Sequence, residues 1–209
     1  MNLSRFPLLL LLLTPLALGQ AAHQTDPVDP ASGPEALVRS LFTQVVVRHP
    51  TGIPYGADMK VFTPYLSKTL LHRIDLAIAC GKDWYRQHPG PTLKPPFAWL
   101  ESGLFSGQDE RTEPNAFVTE KTEPEKDGSF RVRVYVKLNG GTPPEKPWVW
   151  QVAAVVVREN GHFVIDDVIY LKDKYNPVDS RLSEVLSGGC DGPRWVGFGD
   201  NQKDRKPQK

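Results

Sequence analysis

Alternating apolar and polar residues dominate the C-terminal half of the chain. From Ser129 to Leu138, valines at every second position alternate with arginine, tyrosine and lysine. Because alternate side chains of a strand point to opposite faces of a sheet, this pattern predicts a strand with one buried and one solvated face. Two further strands, Trp148 to Val157 and Phe163 to Leu171, are joined by Glu159-Asn160-Gly161, which is typical of a tight hairpin turn. Together these segments predict an antiparallel sheet.

Apolar residues spaced three to four apart predict two helices before the sheet. The first follows Gly33-Pro34, where Pro suits the first helical position, and Pro50 ends it. The second is predicted to begin at Thr63-Pro64, with Thr63 as its N-cap, and to end between Gln87 and Pro89.

The remaining elements complete the order. Asn115 to Thr122 is a weaker strand candidate, and a short helix over Ser180 to Leu186 is predicted to end at Gly188-Gly189. N-terminal helices, an antiparallel sheet and a short C-terminal helix predict an α+β fold with helices against one sheet face.

The first nineteen residues have the pattern of a secretory signal peptide. Arg5 precedes the six leucines Leu8 to Leu13, and Ala17-Leu18-Gly19 places small residues at the positions that a signal peptidase reads. The apolar run is too short to span a bilayer core of roughly 30 Å, although an uncleaved membrane anchor is the alternative. We therefore expect an exported protein, periplasmic or extracellular, that begins near Gln20.

The rest of the chain divides into an arm, one domain and a tail. Residues 20–33 are rich in Ala, Asp, Pro and Thr without periodicity, which predicts a flexible arm. Residues 34–198 suit a single domain with its own core. Residues 199–209 are polar, and we expect them to be disordered.

The charge balance argues against nucleic-acid partners. The chain has 25 basic and 24 acidic residues, and removal of Arg5 with the signal peptide makes the two numbers equal. A protein that binds nucleic acid or an anionic membrane usually carries a basic excess or a basic face. After the leader, no stretch is long and apolar enough to cross a membrane.

Only two cysteines occur, Cys80 and Cys190. In an oxidising compartment they favour a disulfide, which would close a loop of about 110 residues. The alternative is two separate thiols. Two sulfurs alone make no structural zinc site, and the histidines are scattered without metal-ligand spacing. The chain also lacks a dinucleotide-binding motif, a P-loop and a nucleophile elbow, so we expect no metal and no cofactor.

Two blocks of the chain resemble a known family. Phe105-Ser106-Gly107-Gln108-Asp109-Glu110 and the segment Val156 to Val168 are similar to the exported domain-of-unknown-function family 3828 of the nuclear-transport-factor-2-like superfamily, and Leu182-Ser183 and Leu186 are consistent with it. The resemblance covers roughly residues 35–186. It implies a cone-shaped fold, in which a curved sheet wraps around helices, and no established activity.

Two neighbouring carboxylates in the last strand are the main candidates for chemistry. Asp166 and Asp167 are adjacent, so they point to opposite faces and cannot form an acid/base pair. Asp167 is expected to share a face with Phe163, Ile165 and Ile169. An acid among such neighbours is either hydrogen-bonded in the core or lines a pocket, and we prefer the structural role.

Two classes of function fit these features. We prefer an exported non-catalytic domain that binds a small apolar ligand or a protein partner. The alternative is a pocket enzyme, because the resemblance places the chain near isomerases and dehydratases that use a buried acid or histidine. The candidate pocket residues are Asp167, Tyr135 and Gln151.

Both faces of the strand from Trp148 to Val157 are apolar. Since one helical layer covers only one face, the second face is expected to be covered, most simply by a two-fold partner in a homodimer. The alternative cover is the segment from Tyr85 to Leu104 or the pair Trp195-Val196.

Overall fold

The computed structural model describes residues 33–90, 93–107, 113–140, 146–174 and 176–198. The predicted signal peptide, nearly all of the predicted arm and the predicted tail lie outside these ranges. Helices and a large antiparallel sheet make up the fold, so the α+β class is confirmed. Within the described ranges, no helix is long and apolar enough to cross a membrane.

The described ranges contain four α-helices. They are α1 (Pro34–Arg48), α2 (Gly56–Phe62), α3 (Lys68–Gln87) and α4 (Leu182–Ser187), with 3₁₀ turns at Thr63–Tyr65 and Ala98–Leu100. The first helix begins at Pro34, as predicted, and α3 ends at Gln87, within the predicted bounds.

The prediction that the second helix begins at Thr63 is wrong. Thr63 lies in a 3₁₀ turn directly after α2, and its hydroxyl donates to the Met59 carbonyl at 2.7 Å. The N-cap of α3 is Ser67, whose hydroxyl accepts the Leu70 N–H at 2.9 Å. A threonine hydroxyl that bonds back to the preceding turn cannot cap a following helix.

Six strands form the main sheet. They are β1 (Ala116–Thr119), β2 (Glu123–Pro124), β3 (Phe130–Leu138), β4 (Trp148–Glu159), β5 (His162–Tyr170) and β6 (Ser180–Arg181). Their order is β1-β3-β4-β5-β6, every pair is antiparallel, and β2 also pairs with β3. The hairpin between β4 and β5 turns at Asn160 and Gly161, whose φ angles of 50° and 82° match the predicted tight turn.

One face of this sheet, the helix-side face, carries the core. Val132, Val134 and Val136 of β3 are fully buried there beside Val152, Ala154 and Val156 of β4. Helices α1 and α3 supply the facing side chains. The rings of Phe42 in α1 and Phe117 in β1 pack together with their centroids 5.9 Å apart. The opposite, outer face carries the alternate residues of β3, from Arg131 to Lys137.

A β-bulge corrects the predicted faces of β5. Val155 pairs with Asp167 and Val156 pairs with Ile165, so Asp166 is an extra residue without a partner in register. Register therefore places Ile165, like Phe163, on the helix-side face, whereas Asp167 follows Val155 on the outer face. The prediction that Asp167 shares a face with Phe163 and Ile165 is wrong.

A covalent link joins α3 to the end of the domain. Cys80 and Cys190 form the predicted disulfide, and Cys190 belongs to a two-stranded hairpin of β7 (Cys190–Asp191) and β8 (Arg194–Trp195). One turn along α3, the Asp83 carboxylate accepts the Trp195 N–H at 2.8 Å. This bond, with one from Gln87, holds the pKa of Asp83 below its usual value.

Candidate binding site

A cavity of about 590 Å³ opens at the end of the sheet where β4 begins and β5 ends. Its walls come from β4, from the end of β5 and the following loop, from residues 98–107 and from α4. The lining residues are Ala98, Ser102, Ser106, Gly107, Trp148, Trp150, Gln151, Val152, Tyr170, Leu171, Asp173, Asn176, Ser180 and Val185.

The cavity exists because β4 is longer than its neighbour. The last pair in register between β4 and β5 is Val152 with Tyr170, and one further bond joins the Leu171 N–H to the Gln151 carbonyl at 3.2 Å. Strand β4 starts at Trp148, beyond this point, while the chain after Leu171 turns away. Among the described residues, the beginning of β4 therefore has a strand on only one side.

Two aromatic residues of the sheet fasten residues 98–107 over the cavity. The Trp150 indole N–H donates to the Ser106 carbonyl at 2.7 Å, and the Tyr170 hydroxyl donates to the Leu104 carbonyl at 2.6 Å. Gly107 has a φ of 69°, and a Cβ there would lie 2.6 Å from the Tyr170 ring. Only glycine permits this close approach.

The electrostatics of the cavity keep Tyr170 neutral. Burial raises the pKa of the Tyr170 hydroxyl far above its ordinary value, and the negative charge of Asp167 adds to the effect. A phenol in this state that already donates to a carbonyl is a poor acid or base. Its contribution to the site is an apolar ring.

The other titratable residue lining the cavity is Asp173. Its carboxylate accepts the Asn176 N–H at 2.7 Å, and its own N–H donates to the Asn176 carbonyl at 2.8 Å. These bonds close a turn, which is an ordinary structural role for aspartate. Tyr170 and Asp173 thus form no acid/base couple in the part of the chain that the structure describes.

The three predicted pocket residues occupy different positions. Gln151 lines the cavity. Tyr135 is its partner in register on β3, but the Tyr135 hydroxyl donates to the Glu120 carboxylate at 2.8 Å. Asp167 lies beside α4 rather than in the cavity lining.

Asp167 holds the beginning of α4. Its carboxylate accepts hydrogen bonds from the Ser183 N–H at 3.0 Å and from the Ser183 hydroxyl at 2.7 Å. It also accepts one from the N–H of the next residue, Val168, at 2.9 Å. Arg181 approaches it at 3.4 Å. Asp167 is only 3% exposed, so this carboxylate substitutes for water at an otherwise unsatisfied helix end.

Sequence reasoning did not single out the aromatic residues that dominate the site. Trp148 and Trp150 were predicted only as part of an apolar strand, and Tyr170 only as part of the last strand. The available signal was a pair of tryptophans two residues apart at the start of a strand, directly after the Gly- and Pro-rich sequence of residues 139–147.

No metal site accompanies the cavity among the described residues. No group of three or more His, Cys, Asp or Glu residues there lies close enough together to hold an ion.

Comparisons with protein-family models, curated proteins and solved structures give no match for this chain. The resemblance to family 3828, and the cone-shaped fold that it implies, therefore stay predictions.

Proposed function

We propose that this protein is an exported, non-catalytic domain that binds an apolar group of a ligand or partner in the cavity at the start of β4. The observation that supports this most strongly is the lining. Trp148, Trp150 and Tyr170 surround the space, and the polar atoms of Trp150 and Tyr170 are engaged by backbone carbonyls. Apolar walls with a few polar groups are typical of ligand sites.

The preference for binding over catalysis rests on the carboxylates. The enzyme alternative needs a buried acid free to exchange a proton with substrate. The buried Asp167 instead accepts from Ser183 and Val168, and Asp173 closes a turn. Both carboxylates therefore make structural hydrogen bonds that protonation during catalysis would break.

Export is the second part of the proposal. A disulfide persists mainly in oxidising compartments, and the Cys80–Cys190 bridge is compatible with one. We further propose the cone-shaped architecture of family 3828 and a homodimer through the outer face of the sheet, on the sequence reasoning given above.

The binding proposal predicts that an environment-sensitive dye, anilinonaphthalene sulfonate, binds in the cavity. Trp148 is 50% exposed and lines the space, so Trp148→Ala should weaken dye binding roughly three- to tenfold, the usual worth of an aromatic contact. The measurement is a fluorescence titration, read beside a thermal melt to show that the variant is folded.

A matched control is Tyr55→Ala, which removes an aromatic side chain that is 86% exposed and does not line the cavity. It should leave dye binding unchanged. Equal dye affinity in wild type and Trp148→Ala would show that the dye binds elsewhere and would count against the cavity.

A further inference from the structure

Within the described ranges, the start of β4 has no neighbouring strand on the side that faces away from β3, and this edge lies inside the proposed site. Residues 148–150 pair with β3 on one side, whereas β5 reaches only Val152, with one extra bond to Gln151. We call the side of Pro147 to Trp150 that faces away from β3 the open edge. An unpaired edge offers backbone donors and acceptors to another extended chain.

The direction of the backbone groups can be read from the bonds nearby. The Gln151 carbonyl accepts from the N–H of Leu171, directly after β5, so the backbone groups of Gln151 point toward the β5 side. In an antiparallel ladder this direction repeats every second residue. The N–H and C=O of Val149 therefore point to the open edge, as does the carbonyl of Pro147.

The side chains along the open edge suit a strand with apolar residues. Trp148 is 50% exposed and lines the cavity, and Val149, on the outer face, is 45% exposed. An added strand would place alternate side chains beside Trp148 on one face and beside Val149 on the other.

The charges around the open edge are mainly positive. Lys137 is the partner of Val149 in register, Lys146 lies two residues before Trp148, and Lys172 follows Leu171. In the described ranges none of the three forms an ion pair. The nearby Asp173 and Asp179 carboxylates already accept backbone N–H groups of their own loop.

We propose that the open edge binds an extended segment of a partner protein by strand addition, and that this segment alternates acidic with apolar residues. The apolar residue nearest Trp148 enters the cavity, so this inference rests on the proposed function. The acidic residues complement Lys137, Lys146 and Lys172. Backbone bonds to Val149 provide the register.

Lysines beside a strand edge can also serve only to prevent pairing with other chains. The two roles differ in one respect. A purely protective edge binds no strand of any charge, whereas the proposed edge distinguishes acidic from basic peptides.

The probe is a set of pentapeptides, blocked at both ends, in which Glu alternates with Val, Leu, Ile, Phe or Tyr. Binding is followed by the amide resonances of the isotope-labelled protein, and affinity by fluorescence anisotropy of a labelled peptide. We expect the Val149 amide resonance to shift on binding. A set with Lys in place of Glu is the matched control and should bind at least tenfold more weakly.

Two changes test the backbone bonds. Val149→Pro removes the N–H that faces the open edge and no bond to β3, and it should weaken binding about three- to tenfold, whereas Val149→Thr keeps the N–H and should bind like wild type. The second change leaves the protein untouched. Peptides methylated on the backbone nitrogens should lose binding even if Val149→Pro does not fold.

Three results would overturn the inference. If no Glu peptide binds while anilinonaphthalene sulfonate still binds, strand addition fails and the cavity proposal survives. If methylated peptides bind as well as their parents, the contact is made by side chains alone. If the protein is a dimer that Val149→Pro dissociates and Val149→Thr does not, the open edge is occupied by a second copy.

Discussion

At the scale of single residues, Asp167 is the main argument for the binding proposal over the enzyme alternative. It is buried and accepts hydrogen bonds from the Ser183 N–H, the Ser183 hydroxyl and the Val168 N–H. These donors replace the water molecules that would otherwise hydrogen-bond to the carboxylate. Its hydrogen bonds therefore explain how β5 is held against α4 without any substrate.

We predict that Asp167→Asn lowers the free energy of unfolding by roughly 1–3 kcal/mol, because an amide group cannot accept from all of these donors. Chemical denaturation at neutral pH measures the change. Asp75→Asn, on the exposed side of α3, is the control and should have almost no effect. An unchanged or higher stability of Asp167→Asn would favour the enzyme alternative, as functional residues often reduce stability.

At the scale of elements, the sequence predicted the strands well because local signals agreed. The alternation in β3 specifies a half-buried strand, and the Asn160-Gly161 turn specifies the hairpin of β4 and β5. All three strands lie close to where they were expected. Helix α1 was predicted from Pro34 and Pro50, which act on the backbone directly.

Other elements depended on contacts that the sequence does not display. The capping of α3 by Ser67 also involves Asp166, whose carboxylate accepts the Ser67 hydroxyl at 2.6 Å from a strand 99 positions away in the chain. The bulge that makes room for Asp166 moved Asp167 to the other face. Unbroken alternation gave no sign of that shift.

The cavity was only partly predictable for a related reason. Gln151 was named, but the space results from the difference in length between β4 and β5 and from the approach of Gly107 to Tyr170. Both are tertiary facts. The tryptophans at the start of β4 were visible, yet a strand pattern does not show which strand end lacks a neighbour.

The disulfide is the element-scale feature with the clearest energetic consequence. Cys80 and Cys190 are separated by 110 positions, and closing such a loop stabilises a protein by up to roughly 4–5 kcal/mol in the loop-entropy model. We predict that Cys190→Ser lowers the melting temperature while the protein still folds, since Asp83 continues to hold Trp195.

The measurement is a pair of thermal melts, with and without reductant. Wild type should lose stability in reductant, whereas Cys190→Ser should melt at the same temperature in both. Detection of two free thiols by mass spectrometry of the non-reduced protein would contradict the bridge.

At the scale of the whole molecule, the prediction of a homodimer depends on the outer face of the sheet. Arginines on neighbouring strands lie beside the apolar residues of this face. Arg133 is the partner of Ala153 in register, and Arg181 is the partner of Ile169. Ala153 and Ile169 are buried on this face. The ring of Trp195 packs against Phe97 of the core, so Trp195 does not cover the outer face of the sheet.

What this arrangement leaves exposed is a smaller apolar area around Val118 of β1, which is 48% exposed. We predict a two-fold dimer through this area. Because the area is small, the dimer should dissociate in the micromolar range, which light scattering over a concentration series can measure.

Val118→Asp should shift the protein to monomer, because it places a charge in the contact. The control is Val178→Asp, at a residue that is 71% exposed in the loop after β5, and it should leave the dimer unchanged. A monomer at tens of micromolar in wild type would mean that the arginine stems cover the outer face sufficiently without a partner.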